Sequence, residues 1–276
     1  MPDFFDSVDA LGIAELHTKR IVKLEESQAL RLIAKYREVR RDLQDRLNAA
    51  RVDSFTAQQL RGTLLQVELA IEAMNQGLRS EMVSAGNLTA DAGVTDLVEE
   101  LQSFEEHFTG AVVPINVNAA LIANEANDFL INKYQASLDA YSEALRAQIT
   151  GSLTSAIIGE MPYAETVQNI GKFFLGEEWK IHRIARTELH HTYAMGKLMT
   201  MKQLVGDQVP DLMKTLYHPM DSRTAADSKY VDRLNLIVPV SQPFRYKWKG
   251  ELREYMTPPD RPNDRSILIP YRPTWG

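Results

Sequence analysis

Ala29-Leu30-Arg31-Leu32-Ile33-Ala34-Lys35-Tyr36-Arg37-Glu38-Val39-Arg40-Arg41-Asp42-Leu43-Gln44-Asp45-Arg46-Leu47 decides the fold class. Ala29, Leu32, Tyr36, Val39, Leu43 and Leu47 recur at steps of three and four, with charged residues between them. That spacing places an apolar stripe on one face of an α-helix. No residue from about Ser7 to Arg51 stops the helix, and forty helical residues would span roughly 60 Å, so an extended antiparallel element is expected. Asp53-Ser54-Phe55-Thr56 reads as the following turn, with Asp53, Ser54 or Thr56 as N-cap candidates.

The same period continues downstream. Leu60, Leu64, Val67, Ile71, Met74, Leu78 and Met82 predict a helix over about 56–85, and Gly86-Asn87 is suited to ending it. A shorter helix is expected after Thr95 through Leu97, Leu101, Phe104 and Phe108, broken by Gly110 to Pro114. Leu121, Phe129, Leu130, Tyr134, Leu138, Tyr141 and Leu145 predict another over about 116–149. These stripes are read as core packing; an intermolecular coiled coil is the alternative for the first.

Proline placement then divides the chain. Only Pro2, Pro114 and Pro162 precede residue 200, and the other nine of 12 fall between Pro210 and Pro273. Proline obstructs interior helix, so long helices belong to the first part. Ile149 to Gly159, small and weakly polar, is the expected hinge. Helices over Tyr163 to Phe174 and about 178–205 follow, separated at Gly176. Leu212 to Tyr217, Phe244 to Trp248 and Ser266 to Tyr271 read as short strands, with Asp227 to Leu234 as a short helix. The expectation is a mainly α chain: residues 1–150 an elongated helical hairpin or bundle, and residues 151–276 an α+β module with a short antiparallel sheet packed on a helix. On this division, removing 1–150 leaves a folded C-terminal fragment.

Composition limits the chemistry. The chain has 276 residues and a net charge of −6, so no global basic field gathers nucleic acid or an anionic membrane. Cysteine is absent, which excludes disulfides, thiolate metal sites and cysteine nucleophiles. The acidic start lacks a signal peptide's features, and no apolar run approaches the roughly 20 residues of a membrane span; an intracellular product without a membrane segment is expected.

His182, Glu188, His190 and His191 share one helix, and His218, Asp221, Asp227 and Asp232 follow. Adjacent histidines point about 100° apart on a helix, so at most one of His190 and His191 can face a given site, and Glu188 and His191 alone do not make the metalloprotease pattern. His218, Asp221 and Asp227 offer cation ligands, but no phosphate cradle or nucleophile elbow accompanies them. The better reading of Asp221-Ser222-Arg223-Thr224 is a turn leading into a helix. Arg183, Arg186, Arg223, Arg261, Arg265 and Arg272, interleaved with acids, read as an internal salt-bridge network more than as a DNA surface.

The C-terminal half resembles the phage Mu F-like minor head proteins (the head morphogenesis family). The likeness rests on Ile184-Ala185-Arg186-Thr187-Glu188-Leu189-His190-His191-Thr192-Tyr193-Ala194-Met195-Gly196-Lys197-Leu198, on the lead-in Ile158 to Ile170, on His218-Pro219-Met220-Asp221-Ser222-Arg223-Thr224 and on Pro258 to Pro270, in that order. Two features depart from the family: Asn263-Asp264-Arg265-Ser266 stands where many members carry Cys-Arg-Cys, and Asp227 where many carry histidine. The resemblance implies a structural network of Arg186, Glu188, Asp221, Arg223, Asp264 and Arg265, with Arg265 holding the final strand through Asp221 or a neighbouring carbonyl. It implies no catalytic residue, cofactor or metal. The implied protein is a minor structural component of a tailed-phage head, made in the host cytoplasm and built into the virion beside the portal, in several copies. It supports head assembly, with major capsid or scaffolding protein and packaged DNA as further partners in packaging or delivery. The alternatives are a DNA-binding ejection protein and, further off, an ADP-ribosyltransferase-like or metal-dependent enzyme.

Overall fold

The computed structural model describes residues 8–49, 57–157, 162–220, 226–234, 236–259, 261 and 264–275. The chain is mainly helical, with long helices followed by a C-terminal region of short antiparallel sheets. In order come α1 (Val8–Ala49), α2 (Ala57–Thr109), α3 (Ala119–Ile157), α4 (Tyr163–Asp207), β1 (Met213–Tyr217), α5 (Ala226–Asp232), β2 (Val238–Pro239), β3 (Phe244–Trp248), β4 (Glu251–Tyr255) and β5 (Ile267–Tyr271). A single 3-10 turn at Pro273–Trp275 closes the described chain.

Two compact units form. The first takes chain from 1–27, 85–130 and 186–276, the second from 28–84 and 131–185. Residues 1–150 and 151–276 therefore each contribute to both units.

In the second unit the expected stripes meet. Ala29, Leu32, Tyr36 and Leu43 of α1 are buried, as are Val67, Ile71, Met74, Leu78 and Met82 of α2 and Tyr134, Leu138 and Leu145 of α3. Tyr36 is wholly enclosed; its hydroxyl donates to the Phe174 carbonyl at 3.1 Å and lies 3.0 Å from the Tyr141 hydroxyl. Its ring tilts against Phe174 at a centroid distance of 5.9 Å. Ser142 Oγ donates to Asn75 Oδ1 at 2.5 Å, so the buried amide of α2 is not left unsatisfied. Arg37 and Arg40 share Glu178 of α4, and the Arg37 guanidinium holds that carboxyl below its usual range.

The first unit holds the sheet. β1 pairs antiparallel with β2 and β5 in the order β2-β1-β5, with Thr215 opposite Ile269. β3 and β4 form a separate hairpin with Tyr246 opposite Arg253. Lys249 (φ 50°) and Gly250 (φ 86°) make its two-residue turn, whose paired positive φ angles match the twist of the strands. One core joins Ile21 of α1, Leu97 and Phe104 of α2, Leu198 and Met201 of α4, Phe244 of β3 and Ile267, Leu268 and Ile269 of β5. The sheet thus packs on α4, as expected, but α1 and α2 complete the same core.

Four sequence expectations are corrected. Gly86-Asn87 does not end a helix: α2 runs unbroken to Thr109, because Ala85, Ala90, Val94, Leu97 and Leu101 continue one buried stripe. Burying those side chains outweighs the roughly 1 kcal/mol that an interior glycine costs. Gly176 likewise lies inside α4. The proposed hinge is helical as far as Ile157, with Ile149 and Leu153 fully buried, while 158–159 and the turn at 53–56 lie outside the described residues. Leu121 and Phe129, assigned to a core stripe, are 54% and 38% exposed. The break at Gly110 holds: Gly110 takes φ 69° and its N–H closes α2 on the Glu106 carbonyl at 2.9 Å. Asn118 then caps α3, its Oδ1 accepting from Leu121 N–H at 3.2 Å.

Candidate functional site

The motif helix segment Ile184–Leu198 lies in α4 and buries Glu188, His190, Thr192 and Lys197. Gly196 permits this. A Cβ there would lie 2.5 Å from the Ala90 carbonyl oxygen, and one on Gly93 would land on the Tyr193 carbonyl oxygen. The α2 and α4 backbones thus touch, and only glycine allows that approach.

Around this crossing sits a buried ionic cluster. Lys197 and Glu100 are both wholly enclosed, with Nζ donating to Oε1 at 2.6 Å. Burial draws the Lys197 ammonium below its usual range, against the opposing pull of Glu100. Tyr193 donates its hydroxyl to Asp96 Oδ2 at 2.7 Å, and burial pushes its own ionisation well upward. From α1, His17 places Nδ1 2.8 Å from Glu100 Oε1 and Nε2 3.3 Å from Glu99 Oε2, while Arg20 pairs with Asp96 and Glu99. Among the described residues, His17, Asp96 and Glu99 alone bring three metal-ligand atoms within 4.8 Å of one another. The Arg20 cation already lies on both Asp96 and Glu99, and Lys197 on the neighbouring Glu100, so the cluster reads as an ion network that closes on itself.

A second chain of bonds ties α1, α4 and Ser266, the residue that leads into β5. His190 Nδ1 donates to Glu25 Oε1 at 2.6 Å and Nε2 to the Ser266 carbonyl at 2.7 Å. Both partners are pure acceptors, so the ring carries both protons. Burial alone would lower its pKa, but Glu25, the Ser266 carbonyl and the charge of Asp264 outweigh it and raise it to about 9. Ser266 Oγ donates to Asp264 Oδ1 at 2.6 Å and lies 2.6 Å from His218 Nδ1, which donates to it. Burial lowers the His218 pKa to about 4, so this ring is neutral. The pair is not a serine nucleophile with its base. The Ser266 proton points to the carboxylate, and the residue is 2% exposed.

The His190 tie has a calculable pH signature. Its folded pKa lies above the ordinary 6.5, so its stabilisation is complete below about pH 6.5 and is lost as pH rises through 9. Lys214, lowered by burial to about 8, contributes with the opposite slope above that pH. Between pH 6.5 and 8 the urea unfolding free energy is therefore expected to fall by about 1–2 kcal/mol, and Glu25→Gln should flatten this decline. An unchanged slope in that variant counts against the tie.

Of the residues assigned to the network from sequence, Arg186 pairs with Glu26 at 3.6 Å, Glu188 is buried, and Asp264 caps the Ser266 N–H at 3.1 Å. Arg265 lines a cleft of about 300 Å³ with Glu15, Thr18, Lys19, Val22 and Met220. Asp221 and Arg223 lie outside the described residues. His190 is buried and His191 stacks edge-on against Phe129 at 5.0 Å, so the two histidines do face apart. Arg261 bridges Asp227, and Arg272 bridges Asp211 and Glu105, as a salt-bridge network requires. The sequence reading missed His17, Glu25, Asp96, Glu100 and Ser266. Apart from the Asp264 contact of Ser266, their partners are far away in the chain, and no local pattern marks them.

No family model, no curated protein and no solved structure matches this chain.

Proposed function

We propose that this chain is a non-enzymatic minor structural protein of a tailed-phage head, associated with the portal inside the capsid. The carrying observation is how the motif helix uses its ionisable groups. His190, Tyr193 and Lys197 are spent on Glu25, Asp96 and Glu100, which fasten α1 and α2 to α4. An active site keeps such groups convergent on an open pocket; these converge on one another, as suits a part whose task is to hold shape. The ordered resemblance of four segments to the Mu F-like proteins supplies the setting. Portal protein is the primary partner, capsid or scaffolding protein and packaged DNA are further ones, and the virion is the destination. Glu188, 7% exposed inside α4, is poorly placed to reach a nucleotide.

Mass spectrometry and electron cryo-microscopy of purified heads from cells encoding the chain test the proposal. The chain is expected in the particle, with density at the portal vertex. Its absence from purified heads overturns the reading.

A further inference from the structure

We propose that the outer edge of β4 is a self-pairing surface that joins two copies of this chain in an antiparallel strand pair centred on Leu252. The inference does not depend on the function proposed above.

The hairpin turn dictates which backbone groups face outward. In a two-residue turn of this type the flanking residues, Trp248 and Glu251, form a hydrogen-bonded pair, and bonded and non-bonded pairs then alternate. Glu251, Arg253 and Tyr255 thus direct their N–H and C=O groups to β3. Leu252 and Glu254 direct theirs away from it. Among the described residues, β4 pairs with β3 only and none bonds the outward groups of Leu252 or Glu254. Leu252 is also 63% exposed, the largest value for a leucine among the described exposed apolar residues. An open edge carrying an exposed leucine is a template for another strand.

Charge selects the occupant and the register. Two copies related by a twofold axis normal to the sheet must pair residues of equal parity, because opposed residues share a face. Centring on Arg253 opposes the two Arg253 guanidinium groups. Centring on Glu254 opposes two carboxylates. Centring on Leu252 sets the two leucines side by side on the solvent face and places Glu251 opposite Arg253 of the second copy, twice by symmetry. In that register Leu252 exchanges both backbone bonds with its counterpart, and the Glu251–Arg253 positions become the non-hydrogen-bonded pairs, where side chains approach most closely. One register therefore satisfies the backbone, the apolar residue and the charges together.

The test uses the full chain. Sedimentation equilibrium is expected to show a monomer–dimer equilibrium. Glu251→Arg and Arg253→Glu should each weaken it by about tenfold or more, by turning two attractive pairs into repulsive ones. The double variant Glu251→Arg/Arg253→Glu should restore it, with circular dichroism confirming that each variant folds. A chain that sediments as a monomer at every loading concentration overturns the proposal, as do single reversals that dimerise normally. The chain contains no cysteine, so single cysteines report position cleanly. Paired Leu252 Cα atoms would be about 5.5 Å apart, within disulfide reach, so Leu252→Cys should crosslink under mild oxidation. Glu254→Cys, about 14 Å from its counterpart, should not. Equal crosslinking at the two positions rules out this register.

Discussion

Residues 151–276, expressed without the rest of the chain, are expected to remain unfolded, with little chemical-shift dispersion and no cooperative urea transition. The sequence division predicts the opposite, a self-sufficient C-terminal module. The core of the first unit explains the reversal. Ala14, Ile21, Leu97, Leu101 and Phe104 are at most 2% exposed and belong to the same cluster as Tyr193, Leu198, Phe244 and Ile267–Ile269. Truncating one buried leucine, isoleucine or phenylalanine to alanine typically costs about 2–5 kcal/mol. Losing four such side chains with their helices is as large as the roughly 5–15 kcal/mol by which a whole domain is stable. Polar losses add to this. The fragment would keep Lys197 without Glu100, His190 without Glu25, and Arg272 and the Trp275 indole N–H without Glu105. A fragment with native-like dispersion and a cooperative transition would show that α1 and α2 only cover a core that closes without them.

The stripe of Ala29, Leu32, Tyr36 and Leu43 and those of α2 and α3 were readable because helical burial repeats locally. β1, β3 and β5 were readable because β-branched and aromatic residues cluster between prolines. Glu251-Leu252-Arg253-Glu254-Tyr255 was not readable as a strand. Its side chains stay largely exposed and only its pairing with β3 defines it. The continuity of α2 and α4 is hidden for a related reason: Gly86 and Gly176 favour termination locally, but tertiary burial along the rest of each helix decides the matter. At the candidate site, the segment from Arg186 to Lys197 stands out in the sequence, but the residues that suggest a network there are arginines and loop acids. The partners that matter, Glu25, Asp96 and Glu100, sit 165, 97 and 97 residues from theirs and look like ordinary solvated positions on amphipathic helices.

Lys197→Met is expected to destabilise the protein by about 3–5 kcal/mol, the usual cost of leaving a buried charge without its partner. Shape is not the cause, since methionine follows the lysine stem closely and would fill the same space. The cost comes from Glu100, wholly enclosed and then left with only the His17 ring at 2.8 Å. Glu100→Gln should cost a similar amount by the reciprocal route, stranding the ammonium beneath the Tyr193 ring, 5.5 Å from its centroid. The two effects should not add. With both charges gone, Lys197→Met/Glu100→Gln removes the attraction and the stranded ion together. The double variant is therefore expected to be more stable than the sum of the single losses implies, by about 1–3 kcal/mol. Lys19→Met provides the contrast: this lysine, 77% exposed, meets Glu15 at 3.7 Å, and water already screens the pair. Its urea midpoint should match the wild type. Strict additivity of the Lys197 and Glu100 losses would mean that the pair does not interact as drawn. It would also weaken the reading of α4 as a helix whose charges exist to hold its neighbours.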